Sequence, residues 1–206
     1  MTRDQMADRV VHVVGIGLGT AAAIALVVVT AVDGEAGDLV PILIYAIGLV
    51  AMLGCSAAYN VFNASVRREW LRRFDHAAIF AIIAGTYTPF TTRLAGDWAS
   101  GLTVAIWAVA ATGIVLKLLR PRHIEAISIV LYLALGWIGL VAVGPFRSAL
   151  DARTLALLTL GGVIYTAGVV FHLWRRLPYQ NAIWHGFVLV AASVHYVAVI
   201  GLIVGA

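Results

Sequence analysis

The residue types able to do chemistry in this sequence cluster at the edges of a few apolar runs. Ser56 and Asn60 stand one helical turn apart at the end of one run, with Tyr59 beside them. Beyond a short loop carrying Arg67, Arg68, Glu69, Arg72 and Arg73, Asp75 and His76 open the next run. Asn181 and His185 lie four apart at the start of the last run, and His195 follows ten residues later, roughly 15 Å deeper along a helix. A hydroxyl, a carboxylate, an imidazole and two carboxamides at one depth would form a polar pocket in which the imidazole and the carboxylate are the groups able to ligate a metal. These side chains meet only if the three runs are neighbours.

The elements that must position them are membrane helices. The 206 residues are 62% hydrophobic and 12% charged, with a mean hydropathy of +0.97. Too little polar sequence remains to cover a water-soluble core of that composition. Apolar runs at 11–32, 39–62, 76–91, 100–118, 126–143, 155–174 and 182–206 each approach the ~20 residues that cross a bilayer. The sequence therefore predicts an all-α fold, a bundle of seven transmembrane helices forming a single membrane domain over 1–206. Pro41, Pro89, Pro121, Pro145 and Pro178 all fall at or beside run ends, where a missing backbone N–H costs least.

Lysine and arginine set the orientation. Arg3 and Arg9, the Arg67–Arg73 loop, Lys117 with Arg120 and Arg122, and Arg175 with Arg176 share one side, while Arg93, Arg147 and Arg153 are all that the other side holds. The amino terminus is thereby expected in the cytoplasm and the carboxyl terminus outside. The same scatter of arginines over short loops argues against a nucleic-acid partner despite the net charge of +4. The first run is too long for the apolar part of a signal peptide and is flanked by Asp4 and Asp8, so it is read as a span. Gly15, Gly17 and Gly19 lie within it and predict close helix packing rather than a nucleotide loop. Cys55, the lone cysteine, excludes an internal disulfide. His12, His123 and His172 are expected at the membrane surface, and the tryptophans at span ends or in packing.

Taken in order, Ser56-x-x-Tyr59-Asn60, Arg73-Phe74-Asp75-His76, Gly85-Thr86-Tyr87-Thr88-Pro89-Phe90, Gly161-Gly162-x-x-Tyr165-Thr166-x-Gly168, Asn181-Ala182-Ile183-Trp184-His185 and His195 resemble the haemolysin III branch of the progestin and adipoQ receptor family. The likeness covers nearly the whole chain, His12 included. It implies seven spans with the amino terminus inside, and a bacterial inner-membrane location. It further implies a zinc site of three histidines, completed by a serine and an aspartate, for lipid-amide hydrolysis. The serine corresponds to Ser56, the aspartate to Asp75 and the last histidine to His185; the other two ligand positions hold Asn60 and Asn181.

A carboxamide oxygen is a neutral, weak donor for zinc, so exchanging two imidazoles for two carboxamides removes most of the affinity. Zinc held by His185 with replacement ligands such as His76 or His172, and no cofactor at all, are both open on these residues. Asp75 either serves the site or pairs with Arg72 or Arg73; Asn60 and Asn181 either line a pocket or bond each other across helices; His195 either relays protons or pairs with Tyr59 or Ser193. The leading expectation is a cytoplasm-facing polar pocket, comprising Tyr59, Asn60, His76, Asn181 and His195 around Ser56, Asp75 and His185. Its partner is a membrane lipid or acyl chain, in a regulatory role in membrane homeostasis. A metal-dependent lipid-amide hydrolase is the alternative, with Asp75 handling a proton and Ser56 stabilising the oxyanion. A cytolytic channel ranks last, because few internal charges are available to line a wet pore.

Overall fold

A computed structural model describes residues 2–62, 67–119 and 125–205. His123, Pro121, Arg120 and Arg122, which entered the expectations above, lie outside the described residues, as does Ala206. Every regular element among the described residues is helical: α1 (Arg3–Asp33), α2 (Leu39–Val61), α3 (Arg68–Thr91), α4 (Asp97–Leu119), α5 (Glu125–Gly136), a 3-10 turn (Ile138–Ala142), α6 (Val143–Ala149), α7 (Ala152–Leu173) and α8 (Gln180–Val204). Six stretches are long and apolar enough to cross a membrane: α1, α2, α4, the Ile127–Ala149 run through α5 and α6, α7 and α8. The third expected run differs. It begins at Arg68 rather than near 76, and with charges in its first two turns and the weakly apolar Gly85-Thr86-Tyr87-Thr88-Pro89 at its far end it does not reach that composition.

Despite those charges α3 is the most enclosed helix. It runs antiparallel to α2, with Gly48 against Ile82 and Gly85 against the backbone of Ile44 and Tyr45. It also runs antiparallel to α4, where Arg73 donates to the Leu118 carbonyl, Phe80 covers Gly113 and Thr103 donates to Thr91. The ring closes through α1 against α2 and α8, and α8 against α7.

The burial pattern of α1 is that of a helix in lipid. Its inward stripe, Asp8, His12, Gly15, Ala23, Leu26 and Thr30, follows helical spacing but is polar or small at its start, while Val10, Val13, Val14, Leu18 and Ile24 face outward. In water that distribution would be inverted. Gly15 admits Leu189 of α8 and Gly19 admits Leu53 of α2, whereas nothing lies within 4 Å of a side chain placed at Gly17. The helix starts at Arg3, well before 11, because Thr2 and Gln5 form a reciprocal capping box.

The fifth run is broken. Residues α5 through Gly136 lean on α3 and α4, the chain turns through a 3-10 segment, and α6 reaches α7. The Tyr87 hydroxyl of α3 spans the break, donating to the Gly136 carbonyl at 2.5 Å and accepting from the Gly139 amide at 3.2 Å. One phenol thus replaces the partners that a continuous helix would supply. α5 and α7 are joined by a side chain, as Trp137 lies over Gly162 and donates to Thr166 at 3.0 Å.

Candidate functional site

The ring encloses a cavity of about 1050 Å³. Asp4, Arg72, Arg175 and Gln180 line it at one end and Phe90 and Phe146 at the other. Asp75 and Phe90 both border it, and at 1.5 Å per residue they stand about 22 Å apart along α3. Between them the walls are chiefly apolar, with Ile79, Ile83, Leu133, Leu158 and Val188. The polar groups concentrate at the first end.

The starts of α1, α3 and α8 meet the last turns of α2 there. Asp8 and His12 occupy successive turns of α1 and are only 7% and 6% exposed. The Asp8 carboxylate lies 2.6 Å from Nδ1 of His185 and 3.7 Å from Nδ1 of His12. The two imidazoles are edge to face with centroids 4.3 Å apart. Nδ1 of His12 is also 2.8 Å from the Asp8 carbonyl, which can only accept, so this nitrogen carries the proton. Nε2 of His12 then accepts from the Asn60 amide at 3.3 Å and lies 3.2 Å from the Ser56 hydroxyl. Asn60 also donates to the Ser56 carbonyl at 2.9 Å, and the Ser56 hydroxyl donates to Asp75, which faces both His185 and Asp8. One network thus joins α1, α2, α3 and α8.

Of the residues singled out from the sequence, Ser56, Asn60, Asp75 and His185 converge here. Asn181 does not: it is exposed at the cavity mouth and makes no hydrogen bond to Asn60. The expected pairing across helices is replaced by Asn60 with His12. Tyr59 lines the cavity beneath the Arg68 guanidinium, 5.6 Å away. His76 turns toward α4 and α5, with Lys117 donating to its Nδ1 at 3.4 Å and Tyr132 to its carbonyl at 2.8 Å. His195 lies deep, against the Leu158 carbonyl at 3.2 Å and beside Tyr165, rather than with Tyr59 or Ser193. Arg72 bonds Glu69, and Arg73 bonds the Leu118 carbonyl and stacks on Trp70, so Asp75 turns to Ser56 instead. His172 packs on Trp184, and its carbonyl accepts from Gln180.

The sequence reading missed Asp8 and His12. Asp8 entered it as a flanking charge and His12 as an interfacial residue; their spacing of four, continued by Gly15, was the available signal of a shared inward face. All three zinc positions implied by the resemblance line the cavity. Asn181 stands apart at the mouth and the Asn60 amide faces His12 as a donor, leaving His185 as the one imidazole of that set.

Apolar helices facing outward and a buried polar network at one end of an internal cavity define an integral membrane protein of the helical type. The sequence pattern described as Haemolysin-III related matches residues 4–196, so the chain belongs to the haemolysin III branch of the progestin and adipoQ receptor family. Among similar proteins, the Hemolysin-3 homolog of Bacillus subtilis is 32% identical over 96% of this chain and 93% of its own length. Hemolysin-3 of Bacillus cereus is 31% identical over 96% and 91%. The human Monocyte to macrophage differentiation factor is 32% identical over 76% of this chain and 67% of its own. No solved structure matches the chain.

Proposed function

We propose that this protein is a seven-span resident of a bacterial inner membrane that takes a lipid acyl chain into its bundle, with the headgroup at a cytoplasm-facing polar mouth, in a regulatory role in membrane homeostasis. The observation that carries this reading is the polarity of the cavity: the charged and amide side chains stand at one end, and the wall beyond, about 22 Å along α3, is chiefly apolar, interrupted by Thr86, Tyr87 and His195. A single-chain amphiphile has the same division. The seventh span is α3, whose charged turns stand at the mouth and whose remaining turns lie between two helices of spanning length. The lysines and arginines on the mouth side, Arg67 to Arg73 and Arg175 with Arg176 among them, favour the cytoplasmic face.

The test is lipid retained through detergent purification, identified by mass spectrometry, for the wild-type chain and for Gly162→Leu, which fills the cavity wall beside Trp137. Stoichiometric lipid in the first and its loss from a folded second is the expected result. No retained lipid in the wild type refutes the reading.

The lipid-amide hydrolase is retained as a second reading because Ser56, Asp75 and His185 adjoin one another at the end where a headgroup amide would lie. Turnover of a ceramide or acyl-amide by purified protein, lost in Asp75→Asn, would put it first. The name of the Bacillus relatives keeps cytolysis on the list, below both, since the cavity wall is chiefly apolar.

A further inference from the structure

We infer that Asp8, His12 and His185 form a binding site for one divalent transition-metal ion, built from different residues than the three positions the family resemblance implies. The three side chains each offer a ligand atom, and these atoms lie within 4.8 Å of one another. Nδ1 of both histidines converges on the same Asp8 carboxylate, at 2.6 and 3.7 Å. Three ligands at about 2.0–2.2 Å from a tetrahedral ion sit roughly 3.3 Å apart, so the two imidazole–carboxylate separations bracket the required one, and no pair of the three exceeds it by more than about 1.5 Å. Two imidazoles and one carboxylate leave a fourth position open, as a reactive centre requires.

The charge balance favours a cation. Asp8 and Asp75 face the same enclosed space, and two carboxylates sharing a poorly hydrated site are costly without compensating positive charge. In the metal-free chain Asp8 is met by Nδ1 of His185 and Asp75 by the Ser56 hydroxyl. Binding displaces the Nδ1 protons of His12 and His185. The imidazole proton of His12 then belongs on Nε2, where the Ser56 oxygen 3.2 Å away accepts it while the Ser56 hydroxyl continues to donate to Asp75. Ser56 and Asp75 are thereby positioning groups that fix the tautomer of a ligand. Asn60, which donates to Nε2 in the metal-free network, must turn its amide to present oxygen.

Zinc and ferrous iron both suit this donor set, and elemental analysis of protein purified without chelator distinguishes them. The expected result is about one equivalent of one of these metals per chain. It is lost in Asp8→Asn and in His12→Gln and kept in Asn181→Ala. Ser56→Ala weakens binding by roughly 10–100-fold, the usual effect of losing an outer partner. Melting temperatures in chelator report whether each variant is folded. Wild-type protein that holds neither metal, and whose melting temperature neither metal raises, overturns the inference; so does metal retained in the Asp8→Asn, His12→Gln double variant. Should those variants resist purification, the wild type decides alone. Its zinc affinity must fall as pH is lowered from about 8 to about 5, through the histidine range, and a flat profile refutes the site. Metal content and retained lipid are read separately on one sample, so this inference and the acyl-chain reading succeed or fail independently.

Discussion

Gly161→Ala tests the packing that sets His195 in the wall between α7 and α8. A methyl group built at Gly161 would stand 2.2 Å from both Cδ2 and Nε2 of the His195 ring. Ordinary contact between such atoms is about 3.5–4.0 Å, so the overlap is about 1.3–1.8 Å. The ring cannot retreat freely, because Nε2 is held at 3.2 Å from the Leu158 carbonyl and Tyr165 packs beside it. Overpacking of this kind costs about 1–3 kcal/mol. For a chain of this size that corresponds to a fall of about 2–12 °C in melting temperature. The assay is thermal unfolding in detergent with Gly17→Ala as the internal control, since nothing lies within 4 Å of that position. The control is expected to be neutral or slightly stabilising, as alanine restricts the unfolded chain. Adding His195→Ala to Gly161→Ala should recover part of the loss, giving a coupling of about 0.5–3 kcal/mol between the two sites. If Gly161→Ala melts with Gly17→Ala, the close approach of α7 to the imidazole is wrong.

Three further outcomes are expected. Tyr87→Phe removes both hydrogen bonds across the break in the fifth run and should cost about 0.5–1.5 kcal/mol for each, read as a lowered melting temperature; an unchanged value would show that the break is held otherwise. Trp137→Phe loses the bond to Thr166 and should cost about 0.5–1.5 kcal/mol, read as a lowered melting temperature; an unchanged value would show that this bond does not hold the end of α5 to α7. Asp151 caps α7 through the Thr154 amide and hydroxyl, which hold its carboxyl below the usual range. The cap therefore contributes above about pH 4 and its contribution is lost as pH falls through the lower folded value, so Asp151→Ala should melt below wild type at neutral pH and the two should converge in acid.

The membrane helices were legible because hydropathy over about 20 residues reports directly on the solvent a helix needs. The ends were less so. The reading began the first helix near 11, although Thr2 and Gln5 spell a capping box, because charged flanks look like loop when only apolar content is counted. The same habit hid the first two turns of α3 and, with them, the way Arg73 anchors α3 to the end of α4. In the site, Ser56, Asp75 and His185 could be found by motif, whereas for Asp8 and His12 the sequence held only their spacing of four; their role depends on α1 closing the ring against α8. That contact joins residues 177 apart in the chain, and no local pattern encodes it. The Gly85–Phe90 motif was visible but its meaning was not. Tyr87 bridges the broken helix, Thr88 accepts from Trp107 and donates to the Ala84 carbonyl, and neither touches the polar network.

An unbroken helix is a stiff rod: turn one end and the other turns with it. By stopping at Gly136 and resuming at Val143, the fifth run gives up that rigidity. Its first half keeps company with α3 and α4 while its second half reaches across to α7. The two ends of the bundle are to that extent geared separately, with the Tyr87 phenol as the pin between them. A change in the α6–α7 connection can be absorbed at the pin without twisting α5. The break between Gly136 and Val143 is thus where the two halves of the fifth run part direction, each following the helices it packs on.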